Sequence, residues 1–173
     1  YIMINIISGG VTAAKGFVAN GIYCGIKKNK TKRDLALIYS KAECTTASVY
    51  TQNKVKGAPI LVTKEHTANG KARAIICNSG NANTCNADGV EKAKQTCMAV
   101  ARALNINADD VVVASTGVIG QPLPIEPILS GIPNLAEILS SDGSSNAAEA
   151  IMTTDIVEKS IAVSFNIGGK ECK

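Results

Sequence analysis

Short apolar runs alternate with polar and glycine-rich stretches along the first half of the chain. The runs are rich in Val, Ile and Leu and are bounded by turn-forming residues, a pattern that predicts strands. The predicted strands lie at residues 18–26, 35–39, 47–51, 60–62 and 72–77. Asn69 and Gly70 predict a tight turn before the last of these strands. The first half is therefore expected to be sheet.

The apolar spacing changes to three and four residues after Asp88, which predicts an amphipathic helix. Its predicted apolar face consists of Val90, Ala93, Cys97, Val100, Ala101 and Leu104. Asp88 and Glu91 have the spacing of a capping box at the start of this helix. An apolar strand is predicted at residues 111–114, and it leads directly into Ser115-Thr116-Gly117. A strand that ends in a glycine-containing turn is a common position for functional residues.

Prolines interrupt the apolar pattern of residues 121–140. They predict short helical pieces that start near Pro127 and Pro133, rather than one long helix. Asn146 is placed to cap a further short helix that ends near Ile151.

The last part of the chain, residues 161–167, alternates like a half-buried strand and meets a turn at Gly168-Gly169. No internal repeat and no low-complexity linker divides the chain. We therefore expect a single domain over residues 1–173. Its expected fold class is α/β, with a mixed, largely antiparallel sheet and helices packed on its outer faces.

Composition limits what kind of protein this is. Hydrophobic residues make up 46% of the 173 residues but aromatic residues only 3%, so a core of aliphatic and small side chains is expected. No apolar run approaches the roughly 20 residues that cross a bilayer, so no membrane partner is expected. Tyr1 and Ile2 precede Met3 and are interpreted as an expression remnant.

The net charge of +4 includes one local concentration of basic residues. Its members are Lys27, Lys28, Lys30, Lys32 and Arg33. A nucleic-acid patch and a solvated loop between two strands are the two interpretations of such a run. No aromatic residue separates the lysines to stack on bases, so the loop is favoured and no nucleic-acid partner is expected.

The six cysteines have irregular spacing and form no C-x-x-C pair. A zinc site is therefore not supported, and we expect no metal and no cofactor. We expect reduced, mostly buried thiols in an intracellular protein, because no signal peptide is recognised; the expected compartment is the cytoplasm. His66 is the only histidine and lies in a polar stretch, where a solvated loop residue is expected rather than a catalytic base. A serine, histidine and aspartate triad within this chain is thereby disfavoured.

Two segments rich in small and polar residues remain as candidates for chemistry. Residues 78–83 read NSGNAN and suit either self-contained Asx turns or the lining of a pocket. Thr116 and Gly117 place a hydroxyl and a backbone N–H side by side at a strand end. Such donors stabilise an oxyanion during acyl transfer, but from these residues alone a purely structural turn is favoured, because turns of this kind are frequent at strand ends.

Five segments together resemble the N-terminal half of the ornithine acetyltransferase family of arginine biosynthesis. In order they are GGVTAAKGF at 9–17, DLALI at 34–38, NSGNAN at 78–83, ASTGVIGQPLP at 114–124 and AIMTTD at 150–155. Each segment alone is weak evidence, but the common order and spacing cover nearly the whole chain.

The resemblance implies a precursor that cleaves itself at an Ala–Thr bond into α and β chains, which commonly assemble as an α2β2 heterotetramer. The expected fold is an N-terminal-nucleophile-like sandwich that the β chain completes. The first threonine of the β chain would carry an acetyl group from N-acetylornithine to glutamate, and some members also accept acetyl-CoA. By the same resemblance, Thr116 and Gly117 form the oxyanion hole and Thr153 binds substrate.

The chain departs from the family pattern near its end. The family's substrate-binding lysine belongs to a Gly-Gly-x-x-Lys-Gly segment that is not visible here, and neither is the Ala–Thr junction. Lys170 follows Gly168-Gly169 too closely to be that lysine. The alternatives to an acetyltransferase are a related aminopeptidase or amidase that gives the acyl group to water, and a binding or scaffold domain without catalysis.

Overall fold

The computed structural model describes residues 3–173, so the interpretation of Tyr1 and Ile2 lies outside the described residues. The strands are β1 (Ile4–Ile7), β2 (Phe17–Ile22), β3 (Leu35–Thr45), β4 (Lys71–Asn78), β5 (Val111–Ser115), β6 (Ala162–Ile167) and β7 (Lys170–Cys172). The α-helices are α1 (Ala58–His66), α2 (Gly89–Leu104), α3 (Ile125–Glu137) and α4 (Ser144–Ile151). The predicted α/β class is confirmed.

A four-stranded sheet with the order β2-β3-β4-β5 forms the centre of the fold. β2, β3 and β4 are successive antiparallel neighbours, whereas β5 runs parallel to β4. The parallel pair follows from the connection, because a helix, α2, carries the chain back between these two strands. The predicted mixed sheet is therefore present, but β1, β6 and β7 form a second, antiparallel sheet that the pattern did not predict.

The main core lies on one face of the four-stranded sheet, where α2 and α3 pack. Leu35, Val100 and Ile132 are fully buried there. On the other face, α4 packs through alanines against β2 and β3, and the approach is close. A Cβ at Gly21 would lie 2.1 Å from the Asn146 carbonyl oxygen, so only glycine permits this distance. The expectation of a core of aliphatic and small side chains is met.

Helix α1 corrects two sequence predictions. Residues 60–62 form part of this helix and not a strand, because Pro59 occupies its first turn and the helix packs along the open edge of β5. The Thr63 hydroxyl donates to the Val113 carbonyl oxygen at 2.8 Å and accepts from its N–H at 3.1 Å. His66 is buried, not solvated, and its Nδ1 lies 2.9 Å from the Val111 carbonyl oxygen. These side chains satisfy backbone groups of an edge strand.

Helix α3 is one continuous helix, so the prediction of short pieces is wrong. Pro127 lies in its first turn, where no N–H partner is needed, and Pro133 lies inside the helix. The apolar face of Ile128, Ile132 and Leu135 is buried in the main core. That burial outweighs the hydrogen bond lost at Pro133.

Three further local predictions differ from the structure. Residues 47–51 form neither strand nor helix and are mostly exposed. Asn146 does not cap α4, which begins at Ser144, and its amide donates instead to Asn20 Oδ1 at 2.9 Å. Asp88 precedes α2 as predicted, but its carboxylate pairs with Lys92 and makes no capping hydrogen bond.

Candidate active site

Three loops that follow or precede strands of the four-stranded sheet meet at the same end of the strands. Leu35, where β3 begins, pairs with Asn78, where β4 ends, and Asn78 pairs with Ser115, where β5 ends. The connections are the lysine loop (residues 23–34), the amide loop (residues 78–83) and the strand-end turn (residues 115–118). The carboxyl ends of parallel strands are a common position for ligand sites.

A cavity of about 690 Å³ lies between these connections and the end of α4. Its lining residues are Ile26, Lys27, Lys28, Asn29, Lys32, Ser79, Gly80, Thr116, Gly117, Val118, Gln121, Thr153 and Thr154. All three residues singled out from the sequence, Thr116, Gly117 and Thr153, therefore line one cavity. A groove of similar size between α2 and α3 is lined mainly by apolar side chains and contains none of them.

The amide loop is held by its own side chains. Asn78 is buried, and its Oδ1 accepts from the N–H groups of Gly80 at 3.2 Å and Asn81 at 3.0 Å. Its Nδ2 donates to the Ser115 hydroxyl at 2.7 Å. Asn81 Oδ1 in turn accepts from the Asn83 N–H at 2.7 Å. Both interpretations of this segment hold, since it forms Asx turns and also lines the cavity through Ser79 and Gly80.

The strand-end turn has two donors without a protein partner. The Thr116 backbone is fixed, since its N–H donates to the Asn78 carbonyl oxygen at 2.9 Å. Within residues 3–173, neither the Thr116 hydroxyl nor the Gly117 N–H makes a hydrogen bond to protein. Thr116 is half-buried and Gly117 is exposed at the cavity. Two adjacent donor groups that line the cavity are thus without a protein partner among residues 3–173.

Gly117 can be only glycine for two independent reasons. Its φ of +131° is a conformation that residues with a side chain rarely adopt. A Cβ at this position would also lie 2.7 Å from the Gly80 carbonyl carbon and 2.8 Å from the Asn81 nitrogen. The strand-end turn therefore packs backbone against backbone on the amide loop.

Thr153 reaches the cavity because the end of α4 is held from two sides. The Ser79 hydroxyl donates to the Ala150 carbonyl oxygen. The Lys27 ammonium donates to the Met152 carbonyl oxygen at 2.7 Å and to the Arg33 carbonyl oxygen at 2.9 Å. These bonds place the residue after Met152, Thr153, against the lysine loop and the amide loop.

Asp34 organises the lysine loop from inside the protein. Its carboxylate is fully buried and accepts four backbone N–H bonds, from residues 24 to 27, at 2.7–3.2 Å. Burial and repulsion from Lys32 lower the pKa of Lys27, while Asp34 and Glu149 oppose that shift. The basic run is a loop between β2 and β3, as predicted, but it lines the cavity, which the sequence did not reveal.

The cysteines differ more in exposure than the sequence suggested. All six lie among the described residues and none forms a disulfide, but only Cys97 is fully buried and Cys85 is exposed. The prediction that most are buried is therefore wrong. Burial raises the pKa of Cys77 to about 11 and of Cys97 to about 12.

Residues 3–173 contain no group of three His, Cys, Asp or Glu side chains placed to hold a metal ion. They also contain no helix long and apolar enough to span a membrane.

Comparison with known proteins decides the family. Residues 18–173 match the ArgJ family. The chain belongs to the ArgJ family. It is 48% identical over 167 residues to the arginine biosynthesis bifunctional protein ArgJ of Caldanaerobacter subterraneus subsp. tengcongensis, covering 96% of this chain and 41% of that relative. The chain thus spans about two-fifths of the length of the curated ArgJ relatives it matches.

Two solved ArgJ-type structures share the fold. The crystal structure of the bifunctional protein ArgJ from Bacillus halodurans superposes with a TM-score of 0.91 at 38% identity, covering 99% of this chain and 90% of that chain. An ornithine acetyltransferase from Mycobacterium tuberculosis, solved with ornithine, superposes with a TM-score of 0.87 at 38% identity, covering 94% and 88%. The resemblance found in the sequence is thereby confirmed at the level of the family.

Proposed function

We propose that this chain is the α part of an ArgJ acetyltransferase, which transfers an acetyl group from N-acetylornithine to glutamate. The observation that carries the proposal is the cavity of this chain, an ArgJ family member, where the Thr116 hydroxyl and the Gly117 N–H have no protein partner and are available as donors. Acetyl transfer through a tetrahedral intermediate needs such a pair where the oxyanion develops.

In this mechanism the nucleophile is the N-terminal threonine of a β chain produced by cleavage of the precursor at an Ala–Thr bond. Its own α-amino group, with an ordinary pKa of about 7.7–8.0, serves as the base, so no histidine is needed. The buried position of His66, away from the cavity, is compatible with this. Thr116 and Gly117 stabilise the oxyanion, and Thr153 binds substrate.

Chain lengths support a protein in two parts. The chain covers 90% of the matched Bacillus halodurans chain but 41% of the Caldanaerobacter relative. A solved chain much shorter than the curated relatives is what cleavage of a precursor would produce. We propose that α and β chains remain associated, as an α2β2 heterotetramer, in the cytoplasm.

The test uses the full-length protein. Intact mass and N-terminal sequencing should find two chains, the second starting with Thr, and incubation with N-acetylornithine and glutamate should yield ornithine and N-acetylglutamate in equal amounts. The 173-residue chain alone should yield neither, because the proposed nucleophile is the first residue of the β chain. Acetate in place of N-acetylglutamate would favour the amidase alternative, and absence of any turnover would favour a non-catalytic domain.

A further inference from the structure

The lysine loop brings two uncommitted positive charges to the cavity. Lys28 and Lys32 are exposed and line the cavity, and within residues 3–173 no carboxylate lies within 4 Å of either ammonium group. Other lysines of the chain, such as Lys92 and Lys94, do form ion pairs with acidic neighbours. The charges of Lys28 and Lys32 are therefore available to a ligand.

Acidic groups near this loop are already engaged. The Asp34 carboxylate is surrounded by four backbone N–H donors, and Glu149 pairs with Arg33. Among the described residues no Asp or Glu lines the cavity. The cavity wall formed by the lysine loop is therefore positively charged and has no compensating carboxylate. Such a wall attracts anions.

The loop is also fixed before any ligand binds. Asp34 holds its first part, and Asn29 closes its tip, accepting from the Thr31 N–H at 3.0 Å through Oδ1 and from the Lys32 N–H at 3.2 Å through its carbonyl oxygen. Lys27 anchors the loop to Met152, next to Thr153. An ordered loop loses little conformational entropy when its charges bind a ligand.

We propose that Lys28 and Lys32 bind the anionic group that distinguishes the acetyl acceptor from the acetyl donor amino acid. This inference rests on the proposed function. Glutamate has two carboxylates and one ammonium group and is a net anion, whereas N-acetylornithine has one of each and is neutral overall. Paired lysines therefore favour glutamate and give no advantage to N-acetylornithine. The phosphates of acetyl-CoA share this chemistry where that donor is used.

The test compares variants of the full-length, cleaved enzyme. In Lys28→Gln/Lys32→Gln, the KM for glutamate should rise about three- to tenfold, the size expected for partly exposed charge pairs. The KM for N-acetylornithine should stay near the wild-type value. Lys30→Gln is the matched control, because Lys30 belongs to the same loop but does not line the cavity, and it should change neither constant.

Ionic strength gives a second readout that loss of folding would not imitate. Salt screens exposed charges over about 10 Å at 0.1 M, so the wild-type KM for glutamate should rise with salt and that of the double variant much less. A parallel assay with acetyl-CoA as donor separates the two sources of the anion. A higher KM for glutamate assigns the site to the carboxylate of the acceptor. A higher KM for acetyl-CoA alone, with the KM for glutamate unchanged, would overturn that assignment and show a site for phosphate instead.

The results that contradict the inference differ from those that contradict the proposed function. A wild-type enzyme that transfers acetyl normally, with both KM values and their salt dependence unchanged in the double variant, would overturn the role of Lys28 and Lys32 alone. A cleaved wild-type enzyme with no acetyl transfer would overturn the proposed function and this inference with it.

Discussion

The amide loop and the strand-end turn follow neighbouring parallel strands and contact each other, yet they use their polar groups in opposite ways. Asn78 and Asn81 of the amide loop direct their side chains to backbone and side-chain partners within the protein. Thr116 and Gly117 of the strand-end turn leave a hydroxyl and an N–H without a protein partner. Buried polar groups need protein partners, whereas donors at an accessible cavity can bind water or a ligand, so the contrast separates the structural role of the first turn from the chemical role proposed for the second.

The largest expected effect is on catalysis, from Thr116→Ala in the full-length protein. Because an oxyanion donor acts mainly on charge that develops in the transition state, kcat should fall about 10²–10³-fold with KM little changed. The melting temperature should stay near wild type, since this hydroxyl has no partner in the described residues. Self-cleavage is expected to pass through a similar oxyanion, so Thr116→Ala can also slow processing. The steady-state assays must therefore use cleaved protein only.

Ser115→Ala is the matched control for Thr116→Ala. Its hydroxyl accepts from Asn78 Nδ2, so its loss should lower the free energy of unfolding by about 1 kcal/mol and leave kcat of the folded enzyme intact. If Thr116→Ala lowered the melting temperature while kcat per folded molecule stayed normal, the Thr116 hydroxyl would have a structural role and the proposed catalytic role would be contradicted.

A second, smaller effect is expected on stability, from Asn78→Ala. This buried side chain makes three hydrogen bonds, and its loss should lower the free energy of unfolding by about 2–4 kcal/mol, measured by urea denaturation. Asn78→Asp keeps the acceptor for the Gly80 and Asn81 N–H groups, but at neutral pH its carboxylate adds the cost of a buried charge. It should therefore be less destabilising than Asn78→Ala at a pH low enough to protonate it, and equal losses there would mean that the Asx turns contribute little.

The smallest expected effect is local and concerns Cys77, which directly precedes the amide loop. Burial raises the pKa of its thiol to about 11, so at pH 8 it should react with a soluble alkylating reagent more slowly than exposed Cys85. Opening of the amide loop in Asn78→Ala should accelerate Cys77 about three- to tenfold. Residue-resolved mass spectrometry measures both rates, and buried Cys97 serves as the internal reference.

Acceleration of Cys97 to the same extent would indicate global unfolding instead of a local change. An unchanged Cys77 rate in Asn78→Ala would show that the amide loop keeps its structure without this side chain.

The sequence by itself determined the elements whose pattern is long or locally complete. The apolar spacing after Asp88 predicted α2, and the glycine pair at 168–169 predicted the turn between β6 and β7, because helix periodicity and glycine φ are local properties. The ordered motifs also identified the family and selected Thr116, Gly117 and Thr153.

Tertiary structure alone decided features that depend on distant partners. The short run around Ile60 became helix because Thr63 and His66 bind the edge of β5, and α3 continued through Pro133 because its apolar face is buried. Neither the hydrogen bonds to β5 nor the burial of the apolar face of α3 can be predicted from a local sequence pattern. The parallel pairing of β4 and β5 placed the lysine loop beside Thr116, and that register set the charge of the cavity. A basic run on its own carries no information about which strand ends it will meet.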